Sequence, residues 1–229
     1  MKSALMMLAS PYEESDVKDQ KAHWEEIYAQ KNPDEVSWYQ RHPSISLQMI
    51  EATNIENDAW IIDVGGGAST LVDHLLDKGH TKLAVLDISS SALQRDQERL
   101  GENASRIEWI ESDVRSFRPE HQYALWHDRA VFHFLTDEAD RQSYLRALEV
   151  TLAPHGHFII STFAIGGPQK CSGLDIVQYD EASLSQFFND SFELKESRTE
   201  AHHTPWNTEQ KFIYSRFLRK GRTNEPSHR

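Results

Sequence analysis

Between residues 59 and 188 the chain switches repeatedly between short apolar runs and segments of helical periodicity, and this alternation restricts its possible folds more than any other feature. The runs AWIIDV (59–64), KLAVLDI (82–88), RIEWIESD (106–113), YALWHD (123–128) and HFIISTFA (157–164) have the length and composition of buried strands. Between the first three, residues 68–79 and 90–101 repeat their apolar positions at helical spacing, and each segment stops at a glycine. Residues 137–152 and 180–188 supply further helices. Strand and helix in this succession predict an α/β fold, a doubly wound and mostly parallel sheet with right-handed crossovers. The ending breaks the pattern. Residues 192–203 and 211–219 are separated only by TPWNTEQ, which predicts an antiparallel hairpin in place of another crossover.

A chain of 229 residues is long enough to bury one substantial core. Ahead of the alternating region, residues 16–31 predict a helix with Trp24 and Tyr28 on one face, four residues apart. A proline-bounded loop carrying Trp38 and Tyr39 follows, and then a helix near 44–53. The expected organisation is a helical cap over 1–55, a main domain over 56–219 and a flexible tail over 220–229. With 36 acidic against 24 basic side chains the net charge is −12, so a nucleic-acid partner is not expected. No apolar run approaches the roughly 18 to 20 residues needed to cross a bilayer. The start, MKSALMMLAS, lacks the apolar core and cleavage site of a secretory leader. The single cysteine, Cys171, leaves no internal disulfide and fits a reducing cytoplasm. His202 and His203 are adjacent and so face opposite ways on a strand, and no metal site is expected. A monomer or homodimer is the expected state.

Three strand ends carry the candidate chemistry. In IIDVGGGAST, Gly65, Gly66 and Gly67 follow a strand and precede a helix, where the backbone can approach a ligand closely. Counted from Gly65, the third glycine of a dinucleotide fingerprint falls on Thr70, so that pattern is incomplete. Asp63 repels a pyrophosphate but suits the ammonium group of an amino acid. Asp87 ends the second strand, 22 residues after Gly65, where a carboxylate accepts from both hydroxyls of a ribose. Asp113 ends the third strand, level with an adenine amino group. This constellation resembles the S-adenosylmethionine site of class I methyltransferases, with DVGGGAS at the family's first motif. The resemblance implies a Rossmann-like, seven-stranded sheet and S-adenosyl-L-methionine as cofactor. It further implies that Gly65 and Gly67 hold the methionine portion, Asp87 the ribose, and Asp113 with Val114 the adenine, with Asp63, Gly66 and Ile88 also at the cofactor and Trp24 and Trp38 closing over it. Aromatic faces also attract a sulfonium.

The stretch ALWHDRAVFHFL (124–135), followed by DRQSY (140–144), resembles thiopurine and related thiol methyltransferases, as does the aromatic amino-terminal region. His133 and Phe134 stand where that group has small or apolar residues. The resemblance implies a small-molecule acceptor, a thiol or sulfide ahead of nitrogen or oxygen. A thiol is a weak nucleophile until ionised, so a cation or base beside it helps. Arg129 is the candidate cation or anion-binding group, His133 the candidate base, and Asp128 the residue that fixes Arg129 or a loop amide. His127 points away from Asp128 and is expected to be structural. Tyr28, Tyr39, His203 and Trp206 are expected in the acceptor pocket, and the long connection 166–179 over it, with Cys171 as a packed residue. Methylation of nitrogen or oxygen, on a small molecule or a protein lysine, stays open, as does a non-catalytic cofactor-binding module. A dehydrogenase is the remaining alternative.

Overall fold

The computed structural model describes residues 14–30 and 35–221; the amino-terminal stretch and residues 222–229 of the expected tail lie outside them. Helices α1 (Glu14–Gln30) and α2 (Ser44–Glu51) come first. They are followed by β1 (Ile61–Val64), α3 (Leu71–Asp77), β2 (Leu83–Asp87), α4 (Ser90–Leu100), β3 (Ile107–Glu111) and β4 (Tyr123–Arg129). Helix α5 (Glu138–Thr151) leads into β5 (Leu152–Phe163), and a small hairpin, β6 (Lys170–Cys171) and β7 (Leu174–Asp175), precedes α6 (Glu181–Phe188). Strands β8 (Phe192–His203) and β9 (Glu209–Arg219) end the fold.

Seven strands form one sheet in the order β3-β2-β1-β4-β5-β9-β8. Strands β1 to β5 run parallel, β9 is antiparallel to β5, and β8 is antiparallel to β9. This is the α/β sheet with a closing hairpin that the alternation predicts. Its central strands are apolar on both faces because helices cover both. Ile62, Trp126 and Phe158 pack with Tyr144 and Phe188 on one side, whereas Ile61, Leu125 and Ile159 pack with Leu47, Leu71 and Leu75 on the other. Two features depart from expectation. Strand β5 starts at Leu152 and not at His157, because the fully buried Leu152 pairs with Tyr123 across a shift in register. The connection 166–179 is partly ordered by the β6–β7 pair, with Cys171 turned inward.

Strand order reverses between β1 and β4, and an open parallel sheet has its ligand crevice at such a point, outside the carboxyl ends of the strands. The turn leaving β4 is held rigidly there. Asp128, fully buried, accepts hydrogen bonds from the Val131 N–H (2.9 Å), the Phe132 N–H (3.2 Å) and the Tyr144 hydroxyl (2.7 Å). Tyr144 in turn accepts from the Trp126 indole N–H at 3.0 Å. Between these anchors Ala130 adopts φ +74°, and its N–H donates to the Ser161 carbonyl at 2.8 Å. Replacing Tyr144 with phenylalanine removes one donor to a buried carboxylate and strands an indole N–H. The expected cost is about 2 to 4 kcal/mol, measured as a lower urea midpoint with an unchanged denaturant slope.

Candidate active site

The β1 and β4 turns meet at Gly65. Its φ is +66°, and a β-carbon there would stand 2.1 Å from a Val131 methyl, so only glycine fits. Above this contact lies a cleft open to solvent, about 800 Å³ with the solvent space at its mouth included. Its sheet-edge wall is formed by Gly65, Asp87, Ile88, Asp113 and Val114. Asp87 accepts from the Gly67 N–H (3.0 Å) and the Ser89 N–H (2.9 Å), and burial pushes its carboxyl up to about 6. Asp113 is gripped by Arg115 through the backbone N–H (2.8 Å) and the guanidinium (3.0 Å), while the far side of Arg115 reaches Asp140 at 2.7 Å.

The opposite wall comes from the amino-terminal region. Trp24 meets Trp38 and Phe134 edge-on, with centroids 5.8 and 5.1 Å apart, and Tyr28 meets Trp38 at 6.5 Å. Helix α1 is seated by Glu25, whose carboxylate accepts from the Ser90 N–H (2.7 Å) and the Ser91 N–H (3.2 Å) at the start of α4. That is the favourable end of a helix for an anion.

A second, more polar cavity of about 480 Å³ opens beside the glycine turn, lined by Asp63, Gly66, His127, Ser46 and Tyr39. Gly65, Trp38 and Arg129 border both spaces. Arg129 donates from Nε to the Tyr214 hydroxyl (2.8 Å) and from Nη1 to the Trp38 carbonyl (2.7 Å), and its guanidinium lies 4.7 Å from the Phe212 ring centre. Its Nη2 is buried without a hydrogen-bond partner. The expected link from Asp128 to Arg129 is absent, and Asp128 instead holds loop amides, the other role considered for it. Asp128 faces inward, so it positions a turn and does not reach the cleft.

His133 also lies apart from both cavities. It is fully buried, stacks on Phe163 at 4.8 Å, and its Nδ1 accepts from the Phe163 N–H at 3.2 Å. Burial, with the nearby Arg129 charge, pushes its ring down to about 3 and keeps it neutral. A side chain so enclosed does not take a proton from an acceptor in the cleft, which corrects its assignment as base. His203 and Trp206 are exposed at the β8–β9 hairpin, Trp206 at 59%, and line neither space. Strand parity turns His202 inward instead, where its ring bonds the Ser37 carbonyl at 2.8 Å. Tyr28 and Cys171 do line the larger cleft. Arg115, Tyr214, Ser46 and the cavity-facing side of His127 escape sequence reasoning. His127 is level with Asp63 on the neighbouring strand, a register that only strand pairing supplies. Among the described residues no group of three or more histidine, cysteine or acidic side chains is arranged for a metal ion, and no helix is long and apolar enough to cross a membrane.

Residues 61–156, from β1 into β5, match the family described as a methyltransferase domain. The chain is 32% identical over 81 residues to Nodulation protein S of Rhizobium fredii, covering 35% of this chain and 46% of that protein. It is 26% identical over 134 residues to a malonyl-[acyl-carrier protein] O-methyltransferase of Ilyobacter polytropus, covering 58% and 48%. The chain thus spans under half the length of these curated relatives. The crystal structure of the N-methyltransferase NodS from Bradyrhizobium japonicum, in complex with S-adenosyl-L-homocysteine, superposes with a TM-score of 0.60 at 16% identity, over 90% of this chain and 97% of that one. The likeness of fold therefore extends beyond residues 61–156.

The raised carboxyl of Asp87 has a consequence for stability. A group that binds its proton more tightly folded than unfolded contributes most below its unfolded value of 3.8, and that contribution is lost as pH rises towards about 6. Asp128, raised by burial to about 6, acts in the same sense. Asp87→Asn removes one share, so the unfolding free energy of the variant should fall less steeply with pH across that window. Chemical denaturation at a series of pH values measures the slope.

Proposed function

We propose that the protein is an S-adenosylmethionine-dependent methyltransferase that methylates a nitrogen of a small-molecule acceptor. The observation that carries this reading is the pairing of two cavities at Gly65, one suited to a nucleoside and the other to an amino acid. In the larger, which Asp87, Ile88, Asp113 and Val114 line, the Asp87 carboxylate would accept from ribose hydroxyls, Ile88 and Val114 would hold the base, and Asp113 would accept from its amino group. In the smaller, Asp63 keeps one buried oxygen without a partner, which suits an ammonium group. Arg129 borders the same space with Nη2 unpartnered, which suits a carboxylate. These residues therefore fit S-adenosylmethionine, and when bound it supplies an electrophilic methyl on a sulfonium.

The chain's own part is alignment and exclusion of water. Trp24, Tyr28 and Trp38 cover the cleft, and Val131, Phe134 and Leu135 line its acceptor end. Burial pushes the Cys171 thiol up to about 12 and the Tyr28 phenol well above its ordinary value, so neither serves as a base near neutral pH. Walls of this kind favour a nucleophile that is neutral and keeps its lone pair near neutral pH, such as a weakly basic ring nitrogen. Of the proteins named above, the Bradyrhizobium japonicum structure is described as an N-methyltransferase and the Ilyobacter polytropus protein as an O-methyltransferase.

Two measurements test the reading. Calorimetric titration with S-adenosylhomocysteine should give saturable binding, weakened at least about tenfold in Asp87→Ala through loss of charge-assisted hydrogen bonds to the ribose. Release of S-adenosylhomocysteine should then be fastest with amines or nitrogen heterocycles in a panel that includes hydroxyl compounds and thiols. Fastest turnover of a thiol would restore the sulfur acceptor, and binding of NADH in place of S-adenosylhomocysteine would remove the methyltransferase reading.

A further inference from the structure

His127 is the least expected member of the polar cavity. It stands opposite Asp63 on adjacent parallel strands, and both side chains turn to the face covered by α2. The ring Nδ1 lies 2.7 Å from Asp63 Oδ1, and Nε2 lies 2.9 Å from the Ser46 hydroxyl on α2. Histidine and aspartate are each about 98% buried, with 2% exposure. A carboxylate oxygen accepts, so the ring Nδ1–H donates to Asp63, and the Ser46 hydroxyl partners Nε2. With one oxygen committed to His127, Asp63 leaves only Oδ2 for a ligand. That oxygen is buried without a partner, and it lies 2.6 Å from the point where a Gly66 β-carbon would sit, so the glycine turn leaves it uncovered.

We propose that His127, braced by Ser46, is a positioning residue for the amino-acid end of the cofactor: it turns Asp63 Oδ2 towards the ammonium group. This rests on the cofactor reading given above.

The test compares two ligands in calorimetric titrations at a single pH. S-adenosylhomocysteine carries the amino acid, whereas 5′-methylthioadenosine carries the same nucleoside without it, so their affinity ratio isolates the amino-acid end. His127→Asn retains an N–H donor for Asp63, and its ratio should stay within about twofold of the wild-type value. His127→Phe removes the donor and should lower the ratio about tenfold, and Ser46→Ala, which removes the brace, should lower it at least about threefold. A wild-type ratio in His127→Phe overturns the proposal, and where that variant does not fold a wild-type ratio in Ser46→Ala overturns it. Binding of neither nucleoside to the wild-type protein overturns the cofactor reading itself.

Discussion

The grip of Asp128 on the turn after β4 is the constraint on which the rest of the carboxyl edge depends. Its carboxylate is fully buried, a state that costs several kcal/mol unless hydrogen bonds compensate it. Three donors do so, and two of them are the amides that begin the turn. The third, Tyr144, ties the turn to α5 and through Trp126 to the core of the sheet. The fixed turn presents Val131 to β1, and its methyl fills the place of a side chain at Gly65. The two turns that border the crevice are therefore one interlocked unit. A change in either shifts the floor of both cavities.

Above that floor, polar groups are distributed unevenly. On the nucleoside side Asp87 and Asp113 are already bonded to backbone amides or to Arg115, so they act as fixed acceptors. On the other side Asp63 Oδ2 and Arg129 Nη2 are buried without partners. Each such group costs on the order of 1 to 3 kcal/mol, and a fold tolerates the cost where a ligand repays it. The lid belongs to the same scheme. Arg129 holds the Trp38 carbonyl, His202 holds the Ser37 carbonyl and Glu25 seats α1, so the aromatic wall is fastened to the elements that line the proposed cofactor site.

Much of this was legible in the chain. Asp63, Asp87 and Asp113 each end an apolar run and precede a glycine, a serine cap or a turn, and a parallel sheet brings all such ends to one edge. Gly65 to Gly67 were legible for the same reason. The acceptor half was less so. His133 sits in a short helical turn, where local sequence does not say which side faces the cleft, and packing against Phe163 turned it into the core. His203 and Trp206 lie in a hairpin whose register sets which residues face inward, and the register chose His202. The bond between His127 and Asp63 joins residues 64 positions apart, and only strand pairing brings them together.

The sequence by itself determined the alternation of strand and helix, the closing hairpin, and the acidic and glycine positions at the strand ends. These follow from periodicity and backbone freedom, which are properties of neighbouring residues. Tertiary structure decided which polar side chains share a cavity. It joined Asp63 to His127 and Ser46, Arg115 to Asp113 and Asp140, and Arg129 to Tyr214 and Trp38, while it enclosed Asp128 and His133. The physical reason is that a buried polar group takes whichever partner the packing brings within about 3 Å, and that distance is set by strand order and register across the whole sheet.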